Sequence, residues 1–367
     1  MSTTSSLKKT DKSTTNNALY SNQRVTDDDI FRNSSQFSKW SFTKQQLKDI
    51  RQNLADETLL RFQEKLKSFL AEHESDNFLT DEEKEAISSE FELGISSEEQ
   101  LQIVSLYAQK VQIFCTKLKL PSEVIATSII FFKKFYITNS VINLHPKNLI
   151  FTCIFLACKS ENHFISAETF ASKVKQDKQS ILENEFRLLE SLKFSLMNHH
   201  LFKPLHGFYL DIQSVLYGKV DKNYLGTVYE KSKKMLLNSY LTDVFYHYSP
   251  PHITLTALIL EDEQLILKYL ELKFLGFDPL TPEEKLNESQ LISKKMYDTL
   301  MKTIENCKQD LKTSLLPDRE TAWKIDARIH YFLDPMSFIK RFRAQKESNS
   351  NSNEASEEPD KKKQKIE

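Results

Sequence analysis

The sequence predicts an all-α protein built as two tandem five-helix units with flanking N- and C-terminal helices. Three observations predict it. Apolar residues recur at spacings of three and four along nearly all of the interior. Only five glycines occur, Gly94, Gly207, Gly218, Gly226 and Gly276, too few for the tight turns of an all-β chain. Two helical stretches that are apolar almost all round, 150–158 and 253–260, each stand among amphipathic neighbours. Their separation of about 100 residues is too long for a solenoid period and suits two copies of one domain architecture.

The elements follow in order. Residues 1–27 are mostly Ser, Thr, Asn, Lys and Asp, and are expected to form a disordered tail. Residues 28–95 form an N-terminal helical region, with a helix over 28–70 that breaks near 40–43. The first unit spans 96–198. It opens with the stripe Leu101, Val104, Ala108, Val111, Cys115 and Leu118, one apolar face of a helix. Pro121 follows where a new helix can begin. The segment 124–137 is apolar almost all round, as is 146–159, and such helices are normally buried inside a bundle. An amphipathic helix over 166–174 and another over 178–194 complete the unit. Residues 199–204, beginning with His199-His200, read as a linker. The second unit, 199–314 with that linker, has helices over 205–216, 223–240, 251–261, 262–275 and 288–312, and a polar insert at 276–289. A C-terminal helix lies within 315–343. The tail 344–367 is expected to be disordered, mixes acidic and basic residues and ends in Lys361-Lys362-Lys363-Gln364-Lys365, which matches a nuclear-import signal or an ordinary solubilising tail.

Several function classes are excluded at this level. No two glycines lie close enough to build a phosphate-cradling loop, so nucleotide-binding and kinase readings are weak. Cys115, Cys153, Cys158 and Cys307 form no C-x-x-C pair, which leaves zinc ribbons and redox motifs unsupported and points to small buried thiols. The nine histidines show no metal-ligand spacing with carboxylates, so no metal, cofactor or catalytic set is expected. The net charge of −1 gives no global pull toward nucleic acid. The run 149–158 is far short of the roughly 20 residues of a membrane span, and the polar start is unlike a signal peptide. Ser249-Pro250 and Thr281-Pro282 match proline-directed phosphorylation sites, but Ser249 also suits a helix cap. Arg51-Gln52-Asn53-Leu54 matches a bare R-x-x-L degradation pattern within a helix.

Charges on apolar surfaces carry more information. Lys159 closes an apolar helix, with Phe155 and Leu156 one turn behind it. Glu185 interrupts the stripe of Ile181, Leu182, Leu188 and Leu189. A carboxylate there must be solvated at a rim or paired, because burying it bare costs several kcal/mol. Two readings stand: an internal Lys159–Glu185 salt bridge between neighbouring helices, or a pair at a protein-binding surface that contacts a partner's backbone. The run Phe131-Phe132-Lys133-Lys134-Phe135-Tyr136 could suggest nucleic-acid stacking. At helical spacing its aromatics fall on a buried face and its two lysines on a solvated one, which makes core packing the better reading.

These residues resemble the cyclin family. Leu156-Ala157-Cys158-Lys159-Ser160-Glu161 is similar to the family's L-A-x-K-x-E at the end of the third helix of the cyclin box. Glu185-x-x-Leu188-Leu189-x-x-Leu192-x-Phe194 is similar to its fifth-helix motif. The resemblance implies two cyclin-box repeats, and a kinase-binding surface made of Lys159, Glu161, Glu185, Leu156, Leu189, Phe194 and Leu196. Further stretches resemble the transcriptional branch, in particular cyclin H in its fungal form: 34–43, 132–141, 203–208 and 241–243. That implies a non-catalytic activator of the cyclin-dependent kinase of TFIIH, with a RING-finger assembly subunit and core TFIIH as further partners. It implies phosphorylation of the RNA polymerase II C-terminal repeats by the kinase, and in some lineages of other cyclin-dependent kinases, in the nucleus. Neither membrane nor sequence-specific nucleic-acid binding is expected. No Met-Arg dipeptide occurs, so docking of R-x-L substrates is not expected. Two alternatives are cyclin C of the Mediator kinase and a TFIIB-like DNA-binding factor. Against the latter, no cysteine for a zinc ribbon precedes Cys115.

Overall fold

The computed structural model describes residues 27–72, 79–276, 281–282, 286–313 and 315–354, and every regular element among them is helical. Four helices lead: α1 (Asp27–Arg32), α2 (Ser35–Trp40), α3 (Lys44–Glu72) and α4 (Asp81–Leu93). The first unit comprises α5 (Ser97–Lys117), α6 (Ser122–Thr138), α7 (Ile150–Ser160), α8 (Ala167–Val174), α9 (Lys178–Leu182) and α10 (Glu185–Ser191). The second comprises α11 (Phe202–Val215), α12 (Lys222–Ser239), α13 (Val244–His247), α14 (Pro250–Glu261), α15 (Glu263–Leu270) and α16 (Glu288–Lys312). Two helices follow, α17 (Arg319–Leu333) and α18 (Pro335–Glu354).

Local chemistry sets these boundaries. Thr80 with Glu83, and Ser96 with Glu99, form reciprocal capping boxes that satisfy the first free N–H groups of α4 and α5. Pro121 precedes α6, where its missing N–H leaves nothing unsatisfied. Ser249 stands at the N-cap of α14, yet its hydroxyl lies 2.7 Å from His252 Nδ1 and makes no capping bond. Gly94 ends α4 at φ 61° and ψ −166°, a conformation essentially reserved for glycine.

The core of the first unit is α6. Every side chain from Val124 to Ile137 is buried, and each large apolar one contributes about 1.5–3 kcal/mol. This corrects the expectation that Lys133 and Lys134 face solvent: α6 is enclosed on all sides, and the side away from α5 and α7 meets the second unit. Lys133 there lies 3.2 Å from Asp243 and donates to the carbonyls of Leu241 and Thr242. Arg51 of α3 closes on the same carboxylate with bonds of 2.7 and 3.0 Å, so the R-x-x-L arginine is engaged in holding the two units together. In the second unit α14 takes the central place, buried from Ile253 to Ile259 against α11, α12, α15 and α16.

Four boundaries differ from the sequence reading. The fifth helix is split into α9 and α10 by a turn at Glu183-Asn184. It stops at Ser191, because Lys193 and Phe194 both adopt left-handed φ, 54° and 52°. The linker is shorter than 199–204: α11 begins at Phe202 and takes Pro204 into its first turn, where a missing N–H costs little. The trailing helix is two helices, since Pro335 disfavours helical backbone at Asp334 and opens α18 instead. That last helix runs on to Glu354, past residue 343. The N-terminal region breaks at 33–34 as well as 41–43. Residues 1–26, half of the insert at 276–289 and the lysine cluster at 361–365 lie outside the described residues.

The two flanks pack on each other, and α3 and α17 also pack on α5 of the first unit. The Arg328 guanidinium of α17 reaches Glu90 at 2.8 Å and Glu99 at 2.7 Å. Phe332 lies tilted against Phe91 and edge-on to Phe62, at 4.4 and 6.0 Å between centroids. Arg343 of α18 reaches Glu83 at 2.6 Å. The four cysteines are free and buried, as their apolar settings predict.

Candidate functional site

The two charges that interrupt apolar stripes meet. Lys159 lies in the last turn of α7, where a cation suits the helix dipole, and Glu185 opens α10, where an anion does. The turn between α9 and α10 brings the Glu185 carboxylate onto the Lys159 ammonium as a direct ion pair. Lys159 Nζ also stands 4.7 Å from the centre of the Phe155 ring. The pair is reachable from solvent, with 39% of the Lys159 side chain and 19% of the Glu185 side chain exposed. The first of the two readings holds, since the residues pair with each other, and the pair stands where solvent reaches it.

Apolar side chains surround the pair. Leu156 is buried, and Leu189 and Leu196 are half-buried against the core. Phe194 is 65% exposed, lifted outward by its left-handed backbone. Three further exposed residues close to the site in the chain were missed by periodicity: Phe164, Phe186 and Met197. Phe186 packs edge-on against Phe194 at 6.5 Å. Their signal was available as a large apolar residue on the polar side of an amphipathic helix or in a connecting loop. Exposed clusters of this kind around a charged pair mark protein-binding surfaces.

Glu161 sits differently from its companions. It turns inward, accepting a hydrogen bond from Thr127 Oγ1 at 2.6 Å and lying 3.1 Å from His200 Nε2. Burial pushes its pKa up, but these two partners outweigh burial and hold it below the usual value. Its role in this structure is to tie the end of α7 to the start of the second unit.

The loop 193–199 behind Phe194 is braced by α2. Lys39 Nζ donates to the Lys193 carbonyl at 3.2 Å, and the Ser195 and Ser35 hydroxyls meet at 2.6 Å. The His199 N–H donates to Gln36 Oε1 at 2.7 Å.

One sequence expectation about histidine is corrected. His145, Asp326 and His330 do come together: Asp326 lies 3.3 Å from His145 Nε2 and 4.0 Å from His330 Nε2. The sequence hid this because His145 stands far from α17 in the chain. His145 Nδ1 accepts the Lys147 N–H, which leaves the proton on Nε2, facing the carboxylate. A metal-bound histidine does the reverse, donating from its second nitrogen. Asp326 also accepts the Tyr107 hydroxyl at 2.9 Å. The group, held by the Tyr107 hydrogen bond and by the two histidines beside the carboxylate, seats α17 on the first unit.

Two cyclin boxes, with an ion pair ringed by apolar residues on the third and fifth helices of the first, define the class. The family description "Cyclin, N-terminal domain" matches residues 75–197, and "Cyclin C-terminal domain" matches 200–312. The chain belongs to the cyclin family. Within it the similarity is to the fungal cyclin H type. Cyclin CCL1 of Saccharomyces cerevisiae is 49% identical over 259 residues, 71% of this chain and 65% of that protein. Cyclin mcs2 of Schizosaccharomyces pombe is 33% identical over 246 residues, 67% of this chain and 73% of that protein. A chain of the yeast TFIIK (Kin28/Ccl1/Tfb3) complex, solved by cryo-electron microscopy, is 42% identical. It covers 77% of this chain and 100% of its own length, with a TM-score of 0.57.

Proposed function

We propose that this chain is the regulatory cyclin of a TFIIH kinase, an activator with no catalysis of its own. The observation that carries the proposal is the Lys159–Glu185 pair at the centre of an exposed apolar face. Phe194, Leu189, Leu196 and Leu156 form the apolar ground on which the mobile helix of a cyclin-dependent kinase rests. Lys159 and Glu185 hold main-chain groups beside that helix. Binding the active kinase conformation more tightly than the inactive one shifts the kinase population toward the active state. In that state the kinase's own Lys–Glu pair can form. The likeness to a chain of the TFIIK (Kin28/Ccl1/Tfb3) complex supports this reading. A RING-finger subunit and core TFIIH complete the assembly, whose target is the C-terminal repeats of RNA polymerase II. Its location is the nucleus.

The test is purification of the tagged full chain from its own cells, with mass spectrometry and an assay on polymerase repeat peptide. A cyclin-dependent kinase with TFIIH subunits and peptide phosphorylation is the expected result. Lys159→Glu, at equal expression, should lose the kinase activity. Mediator subunits in the eluate, or full activity from Lys159→Glu, would overturn the assignment.

A further inference from the structure

Lys134 is fully buried, and its environment is unusual for a lysine. No carboxylate pairs with it among the described residues. Its ammonium lies 5.1 Å from the Trp40 ring of α2 and 5.8 Å from the Phe245 ring of α13. Its one hydrogen-bond partner is Asn198 Oδ1, at 3.0 Å. The other half of that amide, Asn198 Nδ2, donates to the Leu196 carbonyl at 3.2 Å. The nearby carboxylates are engaged elsewhere: Asp243 with Lys133 and Arg51, and Glu161 with His200 and Thr127. The other cation in the neighbourhood is Lys193, 5.1 Å from the same Trp40 ring.

Resting on the kinase-binding reading above, we infer that Lys134 is a positioning residue that acts through the Asn198 amide to set the loop carrying Phe194 and Leu196. The argument is one of donors and acceptors. An ammonium has only donors, so Asn198 must turn its oxygen to Lys134 and its NH2 to Leu196. A neutral amine carries a lone pair and accepts either face of the amide. The amide is then free to turn over, and where it does the Leu196 carbonyl keeps only the longer bond from Ser160 Oγ at 3.5 Å, so the loop loses one of its anchors.

Burial lowers the Lys134 pKa to about 7, so this choice is made near neutrality. The sign has an unusual consequence. The unfolded lysine titrates near about 10.4, so between the two values the unfolded chain binds more protons and stability rises with pH. The ordered loop needs the proton. Stability and kinase activation should therefore move in opposite directions as pH rises through neutrality, which a purely structural lysine would not produce.

The experiment uses the full chain with its copurified kinase and reads peptide phosphorylation and thermal unfolding from about pH 6.5 to 8. Wild type should lose about threefold or more of its activation across that range, relative to Lys134→Met. Lys134→Met should be at least as stable as wild type, less activating, and flat in that ratio. Asn198→Asp keeps the lysine charged but removes the donor to Leu196, so it should activate poorly at every pH. Activation equal to wild type in either variant overturns the inference, as does a pH-independent ratio. If Lys134→Met fails to fold, Asn198→Asp carries the test. Lys159→Glu in the same assay separates the two readings. Its full activity would sink the kinase-binding site, whereas its loss beside unaffected Asn198→Asp sinks only the role of Lys134.

Discussion

Lys133 of the first box and Asp243 of the second stand 3.2 Å apart, with 4% and 15% of their side chains exposed, and Arg51 completes the group. Burial would push the Asp243 carboxyl up, but the two cations outweigh it and hold its pKa far below the carboxylate range. The units are joined here by charge, inside the protein. Asp243→Ala leaves Lys133 buried without its counter-ion and should cost about 3–5 kcal/mol. Urea unfolding measures this, and a Lys133→Met, Asp243→Ala double variant should recover part of the loss. Equal stability of the single variant and wild type would refute the role given to this group.

Phe194 should behave in the opposite way. It is mostly solvent-exposed, so Phe194→Ala should change the unfolding free energy by less than about 0.5 kcal/mol. The same variant should weaken kinase association about tenfold or more, the effect expected for an aromatic anchor at an interface centre. Binding titration against the purified kinase reads it, and undiminished affinity would remove Phe194 from the surface.

Glu83 offers a pH-dependent prediction. The Arg343 hydrogen bond, working against burial, lowers its pKa to about 2. A carboxyl depressed in the folded state stabilises above its unfolded pKa of roughly 4.3 and loses that contribution as pH falls toward 2. Wild type should therefore exceed Glu83→Gln in stability by about 1.5 kcal/mol at neutral pH. The gap should close between about pH 4.5 and 2. A gap that stays constant on acidification would assign the stabilisation to something other than the charge.

Gly94 is constrained twice. Its backbone lies in glycine territory, and an added Cβ would stand 2.8 Å from Leu59 Cδ1. The Leu59 tip can move, so the backbone dominates: Gly94→Ala should cost about 1–3 kcal/mol in thermal or chemical unfolding. A neutral substitution would mean that the turn between α4 and α5 relaxes freely.

The fold was legible because its determinants are local. Pro121 and the all-apolar helices 124–137 and 150–158 announce themselves within a few positions. The Lys159–Glu185 pair was legible as two interruptions of apolar stripes that have to be solvated or paired. What the sequence hid depends on tertiary enclosure. Lys133 and Lys134 read as solvated because helical periodicity cannot tell a surface helix from one surrounded on every side. His145 and Asp326 meet only through the docking of α17. The split at Asn184 and the left-handed Phe194 arise where a loop must turn an aromatic outward, and neither residue type predicts that conformation.

The placement of α17 and α18 against the leading helices has a consequence for synthesis. Phe332 covers Phe62 and Phe91, but it is made only after the whole second box has been synthesised. At typical elongation rates of about 5–20 residues per second, that delay is on the order of ten seconds. The leading helices α3 and α4, folded during that interval, present an uncovered aromatic seam, open to chaperones and to neighbours on the polysome. A chain released before α17 would keep that seam for its lifetime.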